Sequence, residues 1–294
     1  MSEARSRHFR GLALMGASAA SFAANALLIR GLGHLFNVWL LAGVRFAVGL
    51  AVLGLVFRRQ FQPSHLLTNR KLIERGLVGG LGVWTYYEAI VHVGAGRSTF
   101  INGTYIFWAA LMAAWVFRER LRPITIGGAV AALAGIALLT DVFARGGGPS
   151  PYDGFALLSA LGSAYVAIAI RQLHSTEHTA TIFGAQCAYG LGFCLICGSV
   201  RASLGPPGSF HAPAAGWGLA LVSGVCVAAG QLAQTRAYRD LPVAEGSLVQ
   251  MLSPLGTAIG GAVFYGERLS LPELVGAALI LGGSACAAVR RPGA

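Results

Sequence analysis

The sequence predicts an all-α, polytopic membrane protein of ten transmembrane helices in two inverted five-helix repeats. Three observations predict it: apolar runs of membrane-crossing length recur along the chain, basic residues favour alternate connections, and the second half repeats the first. Of the 294 residues, 55% are hydrophobic and 11% charged, whereas a soluble domain has roughly a quarter of its residues charged. About 20 apolar helical residues cover a hydrocarbon core of roughly 30 Å. Cutting at charged and Gly/Pro-rich breaks places spans near 11–29, 36–57, 76–93, 98–117 and 123–141, then 153–171, 179–200, 214–235, 243–265 and 272–289.

The first span follows Arg5, Arg7 and Arg10 with no small-residue cleavage site after it, so it reads as a retained helix. Several spans are rich in Gly, Ala and Ser, which let helix backbones approach closely in lipid. Cys187, Cys194, Cys197, Cys226 and Cys286 all fall inside apolar runs and act there as small hydrophobes. The Cys194/Cys197 pair has no second pair or His cluster to make a metal site.

A net charge of +11 raises the question of nucleic acid, but the basic residues are scattered among short connections and form no stripe, so no nucleic-acid partner is expected. Membrane topology explains them better. With the N-terminus in the cytoplasm, Arg58, Arg59, Arg70, Lys71, Arg75, Arg118, Arg120, Arg122, Arg171, Arg236, Arg239, Arg290 and Arg291 join the N-terminal arginines on the inner side. Arg30, Arg97, Arg145, Arg201 and Arg268 fall outside. Roughly three basic residues in four then lie inside, as the positive-inside rule requires, with both termini cytoplasmic in the plasma (inner) membrane.

Sliding the sequence on itself by the interval between Asn102 and Gln250 aligns Phe117-Arg118-Glu119-Arg120-Leu121 with Tyr265-Gly266-Glu267-Arg268-Leu269. The same offset puts Gly128 on Gly276, Thr99 on Ser247 and Ala89 on Ala237. A weaker match pairs Gly11-Leu12-Ala13-Leu14 with Gly154-Phe155-Ala156-Leu157. The halves are 1–146 and 147–294. Five spans per half force the second copy to enter the membrane from the opposite side, and inverted repeats characterise secondary transporters.

With these residues on the page, the chain resembles the EamA-type carriers of the drug/metabolite transporter superfamily. The resemblance rests on Val44-Arg45-Phe46-Ala47, on the stretch from Tyr87 through Gly103 to Arg118-Glu119-Arg120-Leu121, and on its copy from Ala237 to Gly266-Glu267-Arg268-Leu269. It differs from that family in having Phe22-Ala23 in the first span and no second-half counterpart of Arg45. The resemblance implies ten helices, a cavity lined by spans one, three, four, six, eight and nine, and export or exchange of amino acids or similar metabolites.

Candidate site residues follow from the cost of polarity in lipid. Glu88 is an acid in the third span, and an intramembrane ionisable group is a functional candidate by default, as a proton or amine site or as an ion pair with Arg236 or Arg45. Asn102 and Gln250 are equivalent positions in spans four and nine. Ser98, Asn102 and Tyr105 share a helix face, as do Ser247, Gln250, Ser253 and Thr257. Such a stripe turns inward, to tie helices together or to line a wet path. Pro254 removes the donor for the Gln250 carbonyl, and half-broken helices mark transporter sites. Trp84, Tyr86, Trp108 and Tyr165, with Tyr87 and Tyr189, add aromatic surface suited to an apolar or aromatic solute. Gln234 completes the candidate set.

His174-Ser175-Thr176-Glu177-His178 fits a zinc-protease pattern by chance in a short connection with no evident third ligand, and no phosphate-binding loop occurs. The expectation is therefore a carrier and not an enzyme, with a small-molecule substrate, a lipid bilayer around it and no cofactor. A sugar-phosphate or nucleotide-sugar transporter is the alternative carrier, for which Arg45 is the one clear deep cation; a membrane-embedded enzyme or a non-transporting scaffold are the readings from other classes.

Overall fold

A computed structural model describes residues 3–32, 35–93, 95–118, 122–139, 150–203, 213–266 and 270–286. The signature stretches 119–121 and 267–269, the boundary near 146 and both chain ends lie outside the described residues. The described residues form α1 (Glu3–Leu32), α2 (Val38–Val56), a short α3 (Pro63–Thr68), α4 (Arg70–Val93), α5 (Ala95–Gly103), α6 (Tyr105–Phe117), α7 (Pro123–Leu139), α8 (Pro151–Leu173), α9 (Thr179–Ser203), α10 (Ala214–Ala237), α11 (Val243–Gln250), α12 (Leu252–Tyr265) and α13 (Leu271–Ala285). No strand occurs among them.

Ten uniform spans were expected, and the described residues vary more than that. Seven stretches are long and apolar enough to cross a bilayer: α1, α2, α5–α6 together, α8, α9, α10 and α11–α12 together. Pro123–Leu138 and Leu274–Gly283, in α7 and α13, are shorter apolar helices. The third expected span, 76–93, lies in α4, a 24-residue helix that starts earlier and so also takes in Arg70, Lys71, Glu74 and Arg75; Glu88 is inside the expected span. The Gly and Tyr residues of that span, with Glu88 and His92, make it less apolar than the other spans.

Spans four and nine are each split, and at equivalent places. Between α5 and α6, the Thr104 N–H and hydroxyl both donate to the Ile101 carbonyl, at 3.1 and 2.7 Å. Between α11 and α12, the Met251 N–H donates to the Leu248 carbonyl at 3.2 Å. Such i to i−3 bonds tighten the turn and interrupt the α-helical ladder. In the second half Pro254 supplies the cause, since it lacks the N–H that would bond Gln250. The first half has no proline there and uses the Thr104 hydroxyl instead.

Packing follows the repeat. α1 lies on α10 and α12, while α8, its counterpart, lies on α4 and α6; α2 packs on α10, while α9 packs on α4. Counterparts that touch run antiparallel. A Cβ on Gly128 would come within 2.7 Å of the Gly283 carbonyl oxygen, and one on Gly135 within 2.6 Å of that of Gly276. The repeat offset carries Gly128 to Gly276 and Gly135 to Gly283, so these two contacts are images of each other. Likewise Phe46 of α2 meets Gly190 of α9, while Gly49 meets Cys187. Small residues bring the backbones together where lipid offers no hydrophobic drive.

The bundle's outer surface is apolar and its interior partly polar. Leu55, Trp115, Val263 and Phe264 are exposed, whereas Asn25, Arg75, Gln186, Ser223, Gln231 and Gln250 are buried. A soluble fold reverses that order. Here the exposed Leu, Trp and Phe side chains meet lipid tails, and the polar groups must satisfy one another inside. The protein is an integral membrane protein.

Candidate functional site

Polar bonds concentrate where α4, α5, α6, α8 and α11 meet. The Asn102 amide donates to Ser159 Oγ at 2.9 Å, and Ser159 Oγ donates to the Gly82 carbonyl at 2.9 Å, which ties α5 to α8 and α4. The Tyr86 hydroxyl bonds Thr99 Oγ1 at 2.9 Å. Tyr105, buried on α6, donates to the Ser247 carbonyl at 3.1 Å, and Tyr238 bonds Ser247 Oγ at 3.2 Å.

Gln250 behaves differently from its image Asn102. It is 8% exposed, and its Oε1 has no hydrogen-bond partner among the described residues. A buried acceptor left unmade costs about 1–3 kcal/mol, so most such groups are satisfied. It sits one residue before the Met251 break. Ser253, half-buried just beyond, accepts Thr257 Oγ1 at its carbonyl. Gln234, half-buried on α10, is the image of Tyr86 and makes no side-chain hydrogen bond among the described residues.

Around Trp84, Glu88 and His92 of α4 lies a row of rings. Trp84 stacks on Trp39 at 5.6 Å and meets Phe155 and Phe193 edge-on at 5.5 and 6.0 Å. Phe155 stacks on Tyr152, which stacks on His92 at 3.8 Å. Glu88 closes the row: Trp84 Nε1 donates to its Oε1 at 3.2 Å, and His92 Nδ1 lies 3.5 Å from Oε2. Its partners are thus on its own helix and are neither Arg45 nor Arg236. Arg236 donates to Asp240 at 3.1 Å, and the Arg45 guanidinium lies 5.6 Å from the Phe46 ring centre.

Two aromatic candidates stand apart from this interior. Tyr165 donates to Glu74 Oε2 at 2.8 Å beside an apolar groove of about 270 Å³ between α4 and α8. Trp108 is exposed on the same face of α6 as Leu111 and Trp115, which are also exposed, and that stripe faces lipid.

Other residues emerge only in three dimensions. Arg75, expected in a cytoplasmic connection, is instead 0% exposed, because α4 begins at Arg70 and carries it into the bundle. Its Nη1 donates to Gln186 Oε1 at 2.8 Å, and Gln231 Nε2 donates to the same oxygen at 2.7 Å. Ser223 donates to Asn25 Oδ1 at 2.7 Å between α10 and α1. Glu245, 8% exposed at the start of α11, lies 3.5 Å from Arg122 of the α7 entry and 3.7 Å from His8 of α1. Uncharged amides inside the apolar runs at 186 and 231 were the available sequence signal.

The His-x-x-Glu-His stretch is spread over unrelated partners. His174 Nε2 bonds the Thr235 carbonyl at 2.6 Å, and burial holds its imidazole below the usual pKa. Glu177 bonds His65 and Asn69, and His178 Nδ1 accepts from Ala180 N–H. Among the described residues no three His, Cys, Asp or Glu side chains are grouped to hold a metal ion.

Comparison with known proteins now adds the family. A model described as the EamA-like transporter family matches residues 9–141 and again 150–289. The pseudopaline exporter CntI of Pseudomonas aeruginosa, in strains UCBPP-PA14 and PAO1, is 25% identical over 250 and 252 residues, covering 84% of this chain and 84% of the relative. A solved crystal structure, described only as that of a protein, superposes with a TM-score of 0.74 at 21% identity, over 94% of this chain and 96% of that one; it supports the fold alone. With the family model matched once in each half, the chain belongs to the EamA-like transporter family and is a membrane transporter, not an enzyme.

Proposed function

We propose that this chain is a secondary transporter that exports small organic metabolites, amino acids with apolar or aromatic side chains among them, by alternating access. Its ten crossings form two inverted halves in the plasma membrane, α5–α6 and α11–α12 each counting as one broken crossing. The observation that carries the reading is the buried Gln250 side-chain oxygen, without a hydrogen-bond partner among the described residues, beside one of two corresponding helix breaks. A break lets each half pivot, and an acceptor that no protein donor engages can take a solute N–H or O–H. Asn102 contributes by holding α4, α5 and α8 in register. Antiparallel packing of α7 on α13 and of α2 on α9 supports the inversion, since a two-fold axis in the membrane plane reverses helix direction. Export takes support from the pseudopaline exporters at 25% identity.

Flux of a mixed amino-acid panel into proteoliposomes, with and without a pH gradient, tests this reading. Gln250→Leu should abolish flux while the protein stays folded, and Asn102→Leu should do the same. Retained flux in both variants removes them from the site. Gradient-driven flux lost in Glu88→Gln would assign proton coupling to the carboxylate held by Trp84 and His92; unchanged flux would leave Glu88 as structure.

A further inference from the structure

Arg75 is a fully buried cation for which the described residues provide no carboxylate. Its Nη1 reaches Gln186, but Nε and Nη2 have no hydrogen-bond partner among the described residues. The ionisable groups near enough to act on it are the Cys187 thiol and Arg45, and neither supplies a compensating carboxylate. A buried charge without a partner is costly enough that proteins pair it or use it. The two donors left over are adjacent on the planar fork, the geometry that engages both oxygens of a carboxylate.

The same helix face carries small residues beyond Arg75. Arg75, Gly79, Gly82 and Tyr86, spaced four, three and four apart, share one face of α4. A Cβ on Gly82 would meet nothing within 4 Å, where this face borders the apolar groove between α4 and α8. A Cβ on Gly79 would touch the Gln186 side chain, at 3.3 Å, which puts the glutamine amide over the same strip. Gln231 then fixes the Gln186 oxygen from α10. Cation and amides thus come from α4 of the first half and α9 and α10 of the second.

We propose that Arg75, aimed by Gln186 and Gln231, is the subsite that receives a carboxylate of the transported solute. This rests on the transporter reading and narrows its substrates to carboxylate-bearing metabolites. The anion enters when the halves part along α4, and its arrival supplies the charge that Arg75 lacks in the closed form.

The test uses the purified full chain in detergent, with succinate, inorganic phosphate and chloride as probes at equal ionic strength and thermal unfolding as readout. Succinate should raise the melting temperature above the chloride control. Arg75→Gln and Arg75→Met should weaken that response roughly thirtyfold or more in succinate concentration, the usual consequence of removing one side of a buried charge pair. Gln231→Leu keeps the charge and guards against misfolding of the Arg75 variants; it should weaken the response less than they do. A succinate response that survives Arg75 replacement overturns the proposal, as does a response to phosphate alone or to no anion. The two readings fail separately: amino-acid flux unchanged in Arg75→Gln leaves the transporter standing without this subsite, whereas Arg75-dependent succinate binding with no flux leaves the subsite without the transporter.

Discussion

Arg118 and Gly266 end α6 and α12 at equivalent positions, and both are left-handed, with φ of 53° and 67°. Glycine takes that conformation freely, whereas a side chain there costs roughly 1–2 kcal/mol. One repeat therefore carries a relaxed cap and the other a strained one. A Cβ on Gly266 would meet nothing within 4 Å, so its replacement tests conformation alone. Gly266→Ala should lower the unfolding free energy by about 1 kcal/mol, and Arg118→Gly should leave it unchanged or raise it. Denaturant unfolding of the two variants checks this, and an equal loss in both would reject the strained cap. The same asymmetry appears at Asn102 and Gln250: duplication gave both halves an amide, but only the first found a Ser159 to bond. Residue identity was readable here from the repeat offset. Pairing was not, because Ser159 lies 57 positions away on another helix.

Among elements, the α7–α13 contact is the tightest backbone approach between equivalent helices. Gly128 and Gly135 face Gly283 and Gly276 across it, with backbone carbonyl oxygens as the nearest atoms, so an added methyl would have to displace backbone as well as the Cys286 and Ile280 side chains. Gly127, next to Gly128, would meet nothing within 4 Å. Gly135→Ala and Gly128→Ala should each destabilise the protein by about 1–3 kcal/mol, as overpacking does, with Gly127→Ala neutral. Thermal unfolding of the three variants decides it; equal behaviour would mean the two helices part without cost. The glycines and their image relation were legible in the sequence, and so was the break near Pro254, whose chemistry is local. The matching break at Thr104 was not, because a threonine hydroxyl returning to the Ile101 carbonyl leaves no mark in composition. Arg75 was misplaced for a related reason. Beside Arg70 and Lys71 it looks like one more connection cation, and only Gln186 and Gln231, more than a hundred residues on, draw it inside. The ring row around Trp84 is likewise assembled from four helices, α2, α4, α8 and α9, whose Trp39, Phe155 and Phe193 carry no spacing signal.

At the scale of the molecule, the orientation in the bilayer follows from charge and from the parity of crossings. Gln60 lies after α2 and Ser175 between α8 and α9, and both are exposed. Between them run α4, the broken α5–α6 pair, α7 and α8, four crossings if the pair counts once. An even number returns the chain to the same side. Asn37, exposed between α1 and α2, is separated from Gln60 by α2 alone and belongs on the other side. Arg58, Arg59, Arg70 and Lys71 near Gln60, against a lone Arg30 before Asn37, are the charge bias on which we propose that Gln60 faces the cytoplasm. In a chain with its native cysteines replaced by alanine, Asn37→Cys should react with a membrane-impermeant thiol reagent in intact cells. Gln60→Cys and Ser175→Cys should react only after permeabilisation. Reversal of all three would turn the protein over and leave the crossing count intact. Labelling of Ser175→Cys together with Asn37→Cys would break the even count, and then α5 and α6, or α7, fail to span. That outcome would also remove the inverted repeat, because five crossings per half are what reverse the second copy, and with it the physical reason for reading the paired breaks at Thr104 and Met251 as pivots of one alternating site.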